Sequence, residues 1–197
     1  MKIIIKIVLI FIFSFCIINY LRGEEAEEVE KLHFTYIGTI IGGGINKINY
    51  KNWFNDRRRT ENISGTYYSG GAVLNVFVYQ FIGEFSFQYI MNSSNSSPDI
   101  SNQHLILNAI GKYSYFLKNN FFLTSGLGLY LDSPPANNDY DCGSGPLIVI
   151  GMIYELSREM RIFSDLIGRY GSFGLGQGSS KISYGINIGV VYKVGRI

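Results

Sequence analysis

From Lys181 to Val194 the side chains alternate between apolar and polar or small for fourteen residues. Ile182, Tyr184, Ile186, Ile188, Val190, Tyr192 and Val194 share one parity. Lys181, Ser183, Gly185, Asn187, Gly189 and Lys193 share the other, and only Val191 breaks the rule. Successive side chains of a strand point to opposite faces, so a period of two predicts a strand with one apolar and one polar face. Strands of soluble sheets usually run about 5 to 6 residues. A tilted strand that crosses a bilayer needs about 9 to 11, with any excess projecting beyond the lipid.

Seven further segments alternate in the same way, giving eight predicted strands at 32–46, 67–79, 83–91, 103–117, 120–131, 146–155, 160–170 and 181–194. No long helical period follows the N-terminal segment. The connections alternate as well. About twenty residues separate the first two strands. The third, fifth and seventh links are polar, proline-containing or glycine-rich stretches at 92–102, 132–145 and 171–180. Tight links at 80–82, 118–119 and 157–159 lie between them. Long links on one side and short links on the other are the pattern of a membrane barrel with long extracellular loops and short periplasmic turns. This arrangement puts both chain ends on the short-turn side.

Residues 1–23 read as a signal peptide, with Lys2 and Lys6 before an apolar run from Ile7 to Ile18 and a cleavage site at Leu21-Arg22-Gly23. An uncleaved anchor is the alternative, and Cys16 raises lipidation as another, against which bulky Phe15 stands. Residues 24–31 are acidic and read as a short periplasmic lead-in, and 32–197 as the barrel domain. Cleavage would leave Cys142 as the sole cysteine, which excludes an intramolecular disulfide. The 15 tyrosines, 14 phenylalanines and 23 glycines suit a barrel with aromatic girdles and a crowded interior. A formal charge of +2 without a basic stripe argues against a nucleic-acid partner.

The faces complete the fold class. Phe85, Phe87, Tyr89 and Met91 oppose Glu84, Ser86 and Gln88. Phe121, Leu123, Leu127, Leu129 and Leu131 oppose Phe122, Thr124, Gly126, Gly128 and Tyr130. Met160, Ile162, Leu166 and Tyr170 oppose Arg161, Asp165 and Arg169. With the loop asymmetry, this predicts an all-β fold, an eight-stranded antiparallel up-and-down transmembrane β-barrel, apolar outside and polar inside. A soluble barrel with the apolar face inward is the alternative.

Over residues 32–194 the chain resembles the small eight-stranded outer-membrane proteins of the OmpA, OmpX and OmpW kind, by topology and alternation. The resemblance implies insertion into the bacterial outer membrane by the barrel-assembly machinery, with periplasmic termini and outer-membrane lipid around the wall. Such proteins commonly end on an aromatic residue, whereas this chain ends Val194-Gly195-Arg196-Ile197, with Tyr192 as the nearest substitute.

Chemistry-bearing motifs are scarce. The two histidines are His33 and His104. His104 lacks the serine two residues on that a lipid A deacylase would carry, and Asp99 and Ser101 only loosely imitate an acyltransferase set. Both histidines are read as solvated, His104 at the rim beside a polar loop. No catalytic residues, metal-ligand spacing or cofactor motif are expected. Gly42-Gly43-Gly44 and the glycines at 174–178 precede no helix. The Asn-X-Ser sequences at Asn62, Asn92 and Asn95 reflect composition.

Two features stand out. Glu84, Lys112, Glu155, Arg161, Asp165, Arg169 and Lys193 are predicted to face a lumen just wide enough for side chains to fill, where unpaired charges would be costly. Glu84 and Glu155 are placed to meet Arg161 and Lys112, with Asp165 bridging to Arg169. The second feature is the first long loop, where Lys47, Lys51, Arg57, Arg58 and Arg59 interleave with Trp53 and Phe54. It suits an anionic carbohydrate or lipid headgroup. The expected function is a non-enzymatic scaffold for surface loops that meet a ligand, host molecule or lipid. A narrow channel for small solutes is the alternative, and a lipid A-modifying enzyme stands third.

Overall fold

The computed structural model describes residues 33–54, 57–92, 103–118, 120–133, 143–173 and 179–196. The expected signal peptide, its Cys16, the acidic lead-in, Cys142 and the glycines of 174–178 lie outside them. Eight strands form: β1 (His33–Phe54), β2 (Arg57–Val78), β3 (Phe81–Asn92), β4 (Gln103–Lys118), β5 (Phe121–Ser133), β6 (Gly143–Glu155), β7 (Met160–Phe173) and β8 (Ser179–Arg196). Each pairs antiparallel with its sequence neighbours, and β8 pairs with β1, closing the barrel.

The register defines the tilt. Starting at His104 on β4, paired residues run through Ile90, Ser69, Gly42, Asn187, Asp165, Gly151 and Thr124, returning to β4 at Ser114. The circuit therefore closes ten residues further along the strand. Combined with ~3.3 Å per residue and ~4.8 Å between strands, a stagger of this size tilts the strands by about 40°.

Three tight connections, at 79–80, at Asn120 and at 156–159, gather at one end. Two require a backbone that L-residues rarely adopt, with Tyr79 at φ 56° and Asn120 at φ 67°. Positive φ is what two-residue hairpin turns demand, and asparagine tolerates it better than most residues. At the opposite end β3 stops at Asn92 and β4 starts at Gln103, β5 stops at Ser133 and β6 starts at Gly143, and β7 stops at Phe173 and β8 starts at Ser179.

The first connection is not the twenty-residue loop expected from composition. β1 and β2 stay paired to Phe54↔Arg57, leaving only 55–56 between them. Among the described residues, β8 follows β1 only as far as Asn49↔Ser180, and β3 meets β2 only from Tyr67↔Asn92. Beyond those points β1 and β2 pair with each other alone, as a two-stranded ribbon projecting past the barrel. Polar composition concealed it, because the ribbon's sequence lacks the apolar alternation by which the other strands are recognised.

The wall is inverted relative to a soluble sheet. Ile41, Leu127, Leu129 and Leu166 are at least 60 % exposed, while Glu84, Lys112, Asp165 and Arg169 are at most 3 % exposed. On β5 the outward residues run from Phe121 to Leu131, which at this rise and tilt is roughly 25 Å of height, the thickness of a membrane barrel's apolar band. Rings edge the belt near the turns, with Phe81 against Tyr113 (5.4 Å) and Phe121 against Tyr154 (4.6 Å). Exposed Tyr68, Tyr170 and Tyr184 stand towards the other end.

Candidate functional site

Inward positions alternate by strand parity, so each lumen level is built from one residue on every strand. Towards the turns the level is apolar. Tyr36, Ile40, Val73, Phe77, Ile82, Ile153, Phe163 and Val191 pack together, with Phe34 and Phe122 against them. A second apolar cluster, including Tyr67, Ile90, Ile106, Tyr130, Leu147 and Ile167, lies towards the loops. The lumen is thus less polar than alternation implied. Parity counts residues such as Val191 and Phe163 as exceptions, whereas in space they gather into layers.

Between the clusters sits Lys112, whose ammonium donates to Glu84 Oε2 and to Asp165 Oδ2, both at 2.6 Å. All three side chains are 1–2 % exposed. Asp165 therefore pairs with Lys112 across the lumen and not with Arg169, correcting the sequence expectation. Asp165 and Arg169 lie four residues apart on β7, at different levels of the wall. Arg169 instead donates to Asn108 Oδ1 (3.2 Å), Tyr67 Oη (3.4 Å) and Gln88 Oε1 (3.5 Å).

Near the turns Arg161 donates twice to Glu155 Oε1, at 2.8 and 3.1 Å. Its guanidinium also lies over the rings of Phe77 and Tyr36, 4.3 and 4.7 Å from their centroids. Lys193 shares the inward parity but does not enter this set. It is half-buried at the turn end, with its ammonium 3.4 Å from the Phe34 ring centroid, where a register shift at Thr35/Tyr36 interrupts the β1–β8 ladder.

Sequence reasoning missed a further ion pair. Lys181 Nζ donates to Asp132 Oδ2 at 2.6 Å, and His104 Nδ1 lies 3.4 Å from Asp132 Oδ1. His104 is 6 % exposed and faces the lumen, so it is not the solvated rim histidine that its polar neighbours suggested. Parity carried the signal: Asp132 continues the inward set of Thr124 and Tyr130, and β5 runs two residues beyond the expected end at Leu131.

Glycines make the filling close. A Cβ on Gly151 would collide with the Asp165 carboxylate, and one on Gly189 with the Phe163 ring. The wall gives way where the largest lumen groups press against it, as in interiors filled by alternating small and large residues.

The expected surface-binding residues lie on β1 and β2, not in a loop, and all but Lys47 fall on the ribbon beyond the β8 pairing. Trp53 stands opposite Arg58, Phe54 opposite Arg57, Asn52 opposite Arg59, and Lys51 opposite Thr60. Lys47 opposes Ser64 and is exposed. The side chain of His33 lies outside the described residues. No cluster of three or more metal-ligating side chains occurs among the described residues.

No protein-family model matches the chain, and no curated protein matches it. Solved structures do. The crystal structure of Neisserial surface protein A superposes with a TM-score of 0.56 at 11 % identity, covering 81 % of this chain and 97 % of that one. A de novo designed transmembrane β-barrel gives 0.41 at 18 % identity, covering 81 % and 95 %. Ail, the attachment invasion locus protein of Yersinia pestis, gives 0.39 at 11 % identity, covering 82 % and 99 %. The first of these, together with the closed eight-strand order and the inverted faces, establishes the architecture. The chain has the fold of an eight-stranded outer-membrane β-barrel.

Proposed function

We propose that this chain is a non-enzymatic protein of the bacterial outer membrane that uses its barrel as an anchor and its loop end for contact with anionic surface groups. Its termini and tight turns face the periplasm, and the barrel-assembly machinery inserts it. The lumen supports an anchor in preference to a pore. Among the described residues one ammonium is held by two carboxylates inside the lumen, with an apolar cluster on either side of it. The β1–β2 ribbon supports the contact role, since it carries Lys51, Arg57, Arg58 and Arg59 with Trp53 and Phe54 beyond the last pairing with β3 and β8, and Lys47 stands on β1 just before that pairing ends. Arginine and aromatic side chains together suit phosphate and sugar-acid ligands, which guanidinium groups bind in a bidentate manner.

The test uses the folded protein in detergent and in planar bilayers. Vesicles containing lipopolysaccharide should bind it, and replacing Arg57, Arg58 and Arg59 together with glutamine should weaken binding at least tenfold at low salt. Unchanged binding removes the ribbon from the contact. Steady ion conductance by the wild type would replace the anchor with the channel reading.

A further inference from the structure

The apolar outer wall is not evenly covered. Across β2 to β5 a recess of about 640 Å³ opens between two rows of outward side chains. The row on the loop side is Ala72, Phe87, Leu107 and Leu131, each paired with the next. The row on the turn side is Leu74, Phe85, Ala109 and Leu129 on the same strands, continued on β1 by Ile37. Val73, Ser86 and Asn108 run between them. Their side chains are buried in the lumen, so their main chain floors the recess. Phe87 stands opposite Ala72 and Phe85 opposite Ala109, so each bank is high at a ring and low at a methyl group. The result is a trough that crosses the strands.

Its height follows from the stagger. Paired residues step towards the turns in going from β5 to β1. Over four strand spacings of ~4.8 Å, at a tilt of about 40°, the trough descends about 12 Å, half of the roughly 25 Å belt. It begins beside Leu131, the last outward residue of that belt on β5, and therefore occupies the half nearer the loops.

We propose that this trough seats one acyl chain of lipopolysaccharide, the lipid of the leaflet that the loops face; the choice of leaflet rests on the orientation given under Proposed function. The trough is continuous with the wall that lipid already surrounds, and its length matches one leaflet. Lipid tails are as apolar as leucine, so within the belt packing selects the occupant and the hydrophobic effect does not. A slender, flexible hydrocarbon chain meets the floor and both banks at once, where a flat wall offers one side only, and each carbon–carbon contact adds to its retention. A second copy of the barrel would bring a convex wall to a concave one.

The test folds the whole protein into vesicles of phosphatidylethanolamine with lipid A bearing its inner-core sugars, extracts it in mild detergent and counts retained lipids by native mass spectrometry. Wild type should keep one lipid A molecule. Ala109→Phe fills the trough and should lower that retention roughly tenfold, the equivalent of about ten lost carbon–carbon contacts. Ala72→Leu narrows it at a second point and should act in the same direction, with the gel shift of the folded barrel confirming that each variant inserts. Leu166→Phe adds a ring on β7, outside the trough, and should change nothing. Wild type that keeps no lipid, or phosphatidylethanolamine instead, overturns the proposal, as does undiminished retention in Ala109→Phe or a dimer that this variant disrupts. The ribbon is separated by replacing Arg57, Arg58 and Arg59 with glutamine. Lipid A kept by that variant and lost by Ala109→Phe supports the trough whether or not the ribbon binds vesicles, and the reverse pattern assigns the lipid to the ribbon and overturns the trough.

Discussion

Lys112 is the residue whose loss should hurt the barrel most. Replacing it with methionine keeps much of the side-chain volume but removes the ammonium that bridges Glu84 and Asp165, each 2.6 Å from it and each at most 2 % exposed. Removing one partner of a buried pair costs about 3 to 5 kcal/mol, because the other charge stays buried without compensation. Here one substitution strands two carboxylates, so the upper end, about 5 kcal/mol, is expected. Arg161 provides the contrast. Its pair with Glu155 is 13 % and 25 % exposed, so water screens it, and the pair itself should contribute under about 1 kcal/mol. Contacts with the Tyr36 and Phe77 rings add about 0.5 to 1 kcal/mol each. Arg161→Ala should therefore lower stability by about 2 kcal/mol, less than half the effect of Lys112→Met. Urea unfolding in lipid vesicles, followed by circular dichroism and by the gel shift of the folded barrel, measures both. Adding Glu84→Gln to Lys112→Met removes one stranded charge and should restore part of the loss. If Lys112→Met costs no more than Arg161→Ala, or the second substitution restores nothing, the ammonium does not organise the lumen.

Three other outcomes follow from the same geometry. Leu127, 68 % exposed near the middle of the outward face of β5, should cost about 2 to 4 kcal/mol when changed to arginine if lipid surrounds it; a neutral effect in the same unfolding assay would mean the face meets water. Asn120→Ala should lose about 1 kcal/mol and Asn120→Gly almost nothing, since φ of 67° penalises a β-carbon; equal losses would show that the amide contacts matter more than the backbone. Cys142, in the link between β5 and β6, should react with an impermeant maleimide on intact cells, and labelling only after the outer membrane is broken would reverse the proposed orientation.

Strand identity, face and order were legible because they rest on short-range geometry. Side chains i and i+2 share a face whatever the strand pairs with, so Phe85, Phe87 and Tyr89 pointed outward and Glu84, Ser86 and Gln88 inward from local pattern alone. Along the β1–β2 ribbon the sequence lacks that pattern, and the segment passed for a loop. Asp132 and Lys181 sat at or just beyond strand ends that polar neighbours had obscured. Parity sends Lys112, Glu84, Asp165 and Arg169 into the lumen, but it says nothing about height. Height depends on the ten-residue stagger, which exists only once β8 has closed on β1. That closure brings Lys112 on β4 level with Asp165 on β7, leaves Arg169 to amide and phenol partners, and sorts the apolar exceptions into two layers. The sequence by itself determined which side chains enter the barrel. Only closure decided which of them meet, because contacts across a lumen join residues whose separation along the chain carries no information about their level.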